Sequence, residues 1–294
     1  MTLAITLVTG YGVLASTDHR LRAHPSGQLI TDSSVKHVVI RCRDGAALVS
    51  YTGLGRVGRL DISTWMREVL RGESRTVDET FIDLREQATA RFGLQARALG
   101  VFHAFLAGAF LGGRPWAVEI RNLRPATAFS PGGIEPGFET VALSVDDPVL
   151  LVAGAGRDAV VQADRELLQR VSRRRPRRPE DFMRLLGDVT RRAAESGHPA
   201  ARTVSRSCSV VFMPPSGDGV KHEWYGPEAE RHLAPVGFSH MLFGIDLGEM
   251  ARPMLELSQA MWDGRITEEE FNRRTEEAAR KAVQSRGRRN GPSR

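Results

Sequence analysis

The stretch TLAITLVTGYGVLASTDHR, residues 2–20, decides the fold. Leu3–Val8 is apolar and rich in β-branched residues, Gly10 and Gly12 supply a turn, and Val13–Thr17 resumes the extended pattern. The pattern predicts a β-hairpin that begins at residue 2. Asp18 then ends the second strand and returns close to Thr2, because antiparallel strands place the end of one beside the start of the other.

The rest of the chain continues as blocks of strands separated by pairs of helices. The order is strands, two helices, strands, two helices, strands, which favours two packed sheets with a helical layer outside each over a doubly wound fold. We therefore predict an α+β sandwich over residues 1–232. Residues 233–294 change character and predict a helical extension, in which Thr267 caps a helix and a basic tail (Val283–Arg294) is disordered.

Length and composition exclude several classes of protein. The 294 residues are 41% hydrophobic and 26% charged, which is typical of a globular domain, and their apolar runs are too short to span a bilayer. Met1 is followed by no basic segment of a secretory signal, so we expect a cytoplasmic protein. Cys42 and Cys208 form no paired motif and the histidines have no ligand spacing, so we expect neither a cofactor nor a metal.

The positive net charge of +6 is local. Only Lys36, Lys221 and Lys281 are lysines among 41 basic residues, and six arginines fall within Arg170–Arg178. This loop could attract a polyanion, but no aromatic residues lie among the arginines to stack on bases. The composition therefore disfavours nucleic acid as a partner and leaves the role of the loop open.

Thr2 carries the first chemical hypothesis. Threonine is small enough for Met1 to be removed, and this would leave a free α-amine beside a hydroxyl on one residue. An α-amine has a pKa of about 7.7–8.0, so near neutral pH it can accept the hydroxyl proton. Asp18 can orient a cation that tunes this amine, and Lys36 is the lone early lysine.

Several segments, taken in order, resemble the opening of proteasome β-subunits and their bacterial relatives, which are N-terminal-nucleophile (Ntn) threonine peptidases. These segments are Thr2–Ile5, Gly12–Arg20, Ser34–Val38, Ser50–Gly53, Ala153–Gly156, Pro179–Phe182 and Glu195–Gly197. The resemblance ends near Gly226 and implies a four-layer αββα sandwich with the nucleophile at the end of a strand. It also implies a homo-oligomer that acts on a peptide or amide substrate.

The same resemblance assigns roles to individual residues. Thr2 is the nucleophile, Asp18 the acidic residue, and the Gly53 N–H stabilises the oxyanion. Either Lys36 or His37 is the cation, because strict alignment places His37 where the family has its catalytic lysine, whereas Lys36 needs a one-residue slip.

Three more positions concern the groups around the amine. Ser196 matches a family serine, but Ala155 and Ala193 stand where the family has a serine and an aspartate. The alternative is therefore a catalytically inactive scaffold or assembly subunit of the same fold, with 233–294 binding a protein partner.

Overall fold

A computed structural model describes residues 3–22, 26, 28–31, 34–124, 132–174, 178–226 and 240–277. Thr2, part of the arginine loop (Arg175 and Arg177), residues 233–239 and the basic tail lie outside the described residues. The chain divides into two compact units, Met1–Ile245 and Asp246–Arg294. The predicted division between residues 232 and 233 stays a prediction.

The first unit contains two large sheets, as the sequence predicts. The smaller sheet has five strands in the order β12-β1-β2-β13-β14, and the neighbouring strands are antiparallel. Its strands are β1 (Ala4–Thr9), β2 (Gly12–Asp18), β12 (Val149–Ala153), β13 (Cys208–Met213) and β14 (Lys221–Tyr225). The predicted hairpin is confirmed: β1 pairs with β2, with Ala4 opposite Thr17.

The larger sheet has seven strands in the order β11-β10-β9-β6-β5-β15-β16 and is mixed, because β15 runs parallel to β5. Its strands are β5 (His37–Arg41), β6 (Gly45–Thr52), β9 (Ala104–Leu111), β10 (Arg114–Arg124), β11 (Gly133–Ser144), β15 (His240–Leu242) and β16 (Ile245–Asp246). Two small ribbons pair β3 (Leu21–Arg22) with β4 (Leu29–Thr31) and β7 (Arg56–Val57) with β8 (Leu60–Asp61).

Two groups of helices belong to the first unit. Their bounds are α1 (Ile62–Leu70), α2 (Val77–Ala88), α3 (Leu94–Ala98), α4 (Gln162–Ser172) and α5 (Pro179–Glu195). A π-helical turn, Thr89–Gly93, joins α2 to α3, and 3₁₀ turns occur at Arg157–Ala159 and Pro199–Thr203. Thr76 caps α2 in a reciprocal pair with Glu79.

Three large sets of buried side chains account for most of the packing. One lies between the sheets and joins Val8 and Val13 of the smaller sheet to Leu48 and Phe110 of the larger. A second joins α1–α3 to the larger sheet, and a third joins α4 and α5 to the smaller. The strand β1 is buried along its whole length, because its alternate side chains belong to different sets.

The second unit contains a helix, α6 (Leu247–Trp262), and a further helical segment at residues 268–277. The predicted cap is present, since Thr267 Oγ1 accepts a hydrogen bond from the N–H of Glu270 at 3.2 Å. Within the described residues, no helix has both the length and the apolar character needed to cross a membrane.

Candidate active site

A buried ion pair lies where β2 ends. The Lys36 Nζ is 3.2 Å from Asp18 Oδ1, and both side chains are 0% exposed. Lys36 also donates to the carbonyl oxygen of Arg20 at 2.7 Å. Charges without access to water need such partners, because isolated burial of either one costs several kcal/mol.

Backbone N–H groups from three segments complete the surroundings of the Asp18 carboxylate. Its Oδ1 accepts from the N–H of Leu3 at 2.8 Å, and its Oδ2 accepts from the N–H groups of Arg20 and Ser205, both at 3.1 Å. The Asp18 N–H in turn donates to the Leu3 carbonyl at 3.3 Å. Asp18 is thus bonded to the residue that directly follows Thr2, and the start of the first strand is held beside the ion pair.

The candidate oxyanion donor, Gly53, lies where β6 has just ended. Its φ is +108°, a conformation that favours glycine, and a Cβ atom there would come within 2.4 Å of the Phe102 carbonyl oxygen. The next N–H, that of Leu54, donates to His103 Nδ1 at 3.1 Å. The turn that carries Gly53 is therefore fixed on both sides.

The Nδ1 atom of His103 can accept this hydrogen bond because the imidazole is neutral. Burial lowers its pKa to about 3, so Nδ1 accepts the Leu54 N–H and the ring proton sits on Nε2. Aromatic rings surround the imidazole, which stacks on Tyr51 and meets Phe92 and Phe105 edge-on. Sequence reasoning missed this role, since nothing in the spacing of a lone histidine points to a turn 49 residues away.

His37 lies apart from the ion pair. Its Nδ1 is 3.5 Å from Thr17 Oγ1 and 3.4 Å from Ser209 Oγ, both on the smaller sheet, so the ring points between the two sheets. Burial, and then neighbouring histidines of which His222 comes first, hold its pKa well below the usual range. Of the two cations that the sequence leaves open, the structure brings Lys36 to Asp18.

The hydrogen bonds of Ser196 do not connect it to the residues around Asp18. It caps the C-terminus of α5 and is exposed. Its hydroxyl donates to the Ala193 carbonyl at 3.0 Å and accepts from the His198 N–H at 3.4 Å. Ser205 supplies instead the N–H that reaches Asp18, and no side-chain pattern in the sequence marks a backbone donor.

A cleft of about 780 Å³ opens beside Gly53. Residues that line it include Gly53, Ala153, Gly154, Arg121, Arg157 and Arg165. This volume is in the range of small-molecule and peptide pockets. No group of three or more His, Cys, Asp or Glu side chains within the described ranges is placed to hold a metal ion.

The geometry can be compared with that of known proteins. No protein-family model matches the sequence, and no curated protein matches it. Solved structures do match. Anbu proteins are among them.

Two of these structures share the fold. Anbu (ancestral beta-subunit) from Yersinia bercovieri matches with a TM-score of 0.52 at 13% identity, over 78% of this chain and 89% of that chain. The helical assembly of the Anbu complex from Pseudomonas aeruginosa matches with a TM-score of 0.51 at 12% identity, over 90% of this chain and 97% of that chain. The chain therefore has an Anbu-like mixed α/β fold.

This finding corrects one prediction from the sequence. The assignment to the proteasome β-subunits is wrong, because the structural neighbours belong to Anbu, a proteasome-like but distinct family. Of the segments that suggested β-subunits, Gly12–Arg20 contains the strand β2 and Ser50–Gly53 contains the end of β6. They therefore indicate a fold more readily than a particular family.

Proposed function

We propose that this chain is a self-assembling Ntn hydrolase that cleaves amide bonds with Thr2 once Met1 has been removed. Its domain, residues 1–232, is a four-layer αββα sandwich with residues 233–294 as an extension. The three sets of buried side chains support this arrangement, since each fills the space between two layers. The Anbu-like fold is consistent with it.

The observation that carries the proposal is the bond from the Leu3 N–H to Asp18, which also holds the buried Lys36 ammonium. A cation close to an amine disfavours the protonated amine and so lowers its pKa. An α-amine has an ordinary pKa of about 7.7–8.0, so part of the Thr2 amine would be neutral near pH 7 and able to take the proton of its own hydroxyl. The bonds of Lys36 to Asp18 and to the Arg20 carbonyl oxygen fix the position of that cation.

The proposed reaction is acyl transfer. The Thr2 hydroxyl oxygen attacks the amide carbon, its proton passes through the α-amine to the departing nitrogen, and an ester forms on Thr2. Water then attacks the ester, returns the hydroxyl and releases the acid. The Gly53 N–H stabilises the oxyanion in both steps, and loss of such a donor typically costs about 3–4 kcal/mol of transition-state stabilisation.

A catalytically silent scaffold is the second candidate, and it has its own support. Ser196 is exposed and bonded within its own turn, and Ala193 is buried among apolar side chains. Neither side chain adds a proton-carrying group beside Asp18. A scaffold would keep the Asp18–Lys36 pair for stability alone.

Assembly is proposed in both cases. The Pseudomonas aeruginosa Anbu complex is a helical assembly, and we propose that this chain also self-associates, in the cytoplasm. Its substrate would be a peptide or another amide, and residues 233–294 would bind a protein partner.

Intact-mass measurement and covalent labelling test the catalytic proposal. We expect a purified chain that begins at Thr2 and is labelled by a peptide epoxyketone or boronate. Thr2→Ser should retain labelling, Thr2→Ala should lose it, and Lys36→Arg should retain more than Lys36→Ala. A chain that keeps Met1, or labelling that persists in Thr2→Ala, would contradict catalysis by Thr2 and favour the scaffold.

A further inference from the structure

The outer face of α2 carries a stripe of three residues, Asp78, Ile82 and Arg85. They are spaced by four and then three positions, which places them in one line along the helix. Asp78 lies in the first turn and Arg85 in the last turn, so the stripe is negative at one end and positive at the other. At its centre, Ile82 is 46% exposed although it is a large apolar residue.

An apolar groove runs beside this stripe. It encloses about 340 Å³, and Asp78, Ile82 and Arg85 all contribute to its wall. Its floor includes Thr140 and Ala142 of β11, both of which are small and exposed. Among the described residues β11 pairs only with β10, so the groove lies at the edge of the larger sheet.

The order of charges along the stripe is complementary to the same stripe on a second copy of the chain. If a second copy is rotated by 180° about the centre of the stripe, its Arg85 faces Asp78 of the first copy and its Asp78 faces Arg85. The two Ile82 side chains then meet near the rotation axis, each beside the groove of its own copy. This is the self-complementary pattern that a twofold interface requires.

We propose that the Asp78–Ile82–Arg85 stripe and its groove form a twofold interface between two copies of this chain. The one ion pair of Arg85 within the described residues, with Glu86 at 3.0 Å, is exposed at the surface. Such pairs hold their partners weakly, so Arg85 can exchange it for Asp78 of the second copy. The proposal rests on the self-assembly proposed above, and it requires no catalytic activity.

Substitutions that reverse the charges at Asp78 and Arg85 test this interface. The full chain is examined by sedimentation velocity across a concentration series, together with D78R, R85D and the double variant. Each single variant places two like charges opposite each other twice per dimer. We expect about tenfold weaker association or more, since like charges facing each other across an interface cost several kcal/mol. The double variant restores opposite charges and should recover association.

Asp181→Arg is the matched control, since Asp181 is also an exposed acid in the first turn of a helix, α5. It should leave association unchanged. Thermal melts of each variant show whether the fold persists.

Three results would overturn the proposal. Folded single variants that associate like the unaltered chain would exclude this surface while self-assembly itself stands. A folded double variant that stays as weak as the single variants would exclude the twofold pairing of Asp78 with Arg85. An unaltered chain that is monomeric at every concentration would contradict self-assembly as well as this interface, and would point to a different partner for the groove.

Discussion

Lys36 Nζ donates to Asp18 Oδ1 at 3.2 Å, and neither side chain is exposed to solvent. The pair joins three separate parts of the chain, because Asp18 also accepts from the N–H groups of Leu3 and Ser205. The start of β1 is consequently attached to the end of β2 and to the segment before β13. This arrangement makes the pair a structural requirement whether or not Thr2 is catalytic.

Loss of Lys36 should destabilise the protein strongly. In Lys36→Met the Asp18 carboxylate stays buried without its cation, which typically costs about 3–5 kcal/mol. Urea unfolding of Lys36→Met should show a loss of this size. The double variant Asp18→Asn/Lys36→Met should recover part of it, because the uncompensated charge is gone. Equal losses in the single and double variants would contradict a charge-burial effect.

Gly53 should tolerate alanine much less well than Gly72. The two glycines have nearly the same φ, +108° and +109°, but a Cβ atom at Gly53 would lie 2.4 Å from the Phe102 carbonyl oxygen, whereas at Gly72 it would meet nothing within 4 Å. Gly72→Ala should cost about 1–2 kcal/mol of conformational strain. Gly53→Ala should cost clearly more in the same thermal melts, and similar losses would show that the contact with Phe102 relaxes freely.

His103 should stabilise the fold through its Nδ1 atom, which accepts the Leu54 N–H. His103→Leu leaves the buried Leu54 N–H without its partner, which costs about 1–3 kcal/mol. His198 is the control, because its Nδ1 also accepts a backbone N–H, that of Ala200, but at an exposed site where water can replace it. Denaturant unfolding should therefore show a smaller loss for His198→Leu. If the two losses match, the buried hydrogen bond is not the cause.

Stability should fall as the pH drops below about 6.5. Burial lowers the pKa of His103 to about 3 and that of His222 to about 4, and it also lowers the pKa values of His37 and His240. The unfolded chain then binds more protons than the folded chain, so stability is complete above about pH 6.5 and is lost as the pH falls towards the folded pKa values.

Urea midpoints between pH 8 and pH 5 measure this dependence. Each histidine that stays neutral in the fold adds a slope of up to about 1.4 kcal/mol per pH unit. His222→Phe removes one of these histidines, so it should reduce the slope by up to about 1.4 kcal/mol per pH unit. A curve that is flat from pH 7 to pH 5 would show that these histidines titrate normally in the fold.

Ser196→Ala should change little. The hydroxyl is exposed and bonded within its own turn, so its loss should shift the free energy of unfolding by less than about 0.5 kcal/mol. Labelling of Thr2 should continue at the rate of the unaltered chain. A large drop in labelling with unchanged stability would show that Ser196 reaches the site after all.

The sequence by itself determined the first hairpin and the order of strand blocks separated by helices. Leu3–Val8 is apolar on both faces apart from Thr6, and Val13–Ala15 continues this pattern, so the hairpin had to be covered from both sides. Turn glycines and the caps at Thr76 and Thr267 act locally, over a few residues, and the sequence shows such signals directly.

The tertiary structure alone decided which cation meets Asp18. Lys36 and His37 are adjacent near the start of a strand and point to opposite sides, and the sequence cannot tell which side faces another sheet until both sheets are placed. Likewise, the N–H of Ser205 reaches Asp18 across 187 positions. Contacts made by backbone groups between distant segments leave no residue pattern, so only the packed chain reveals them.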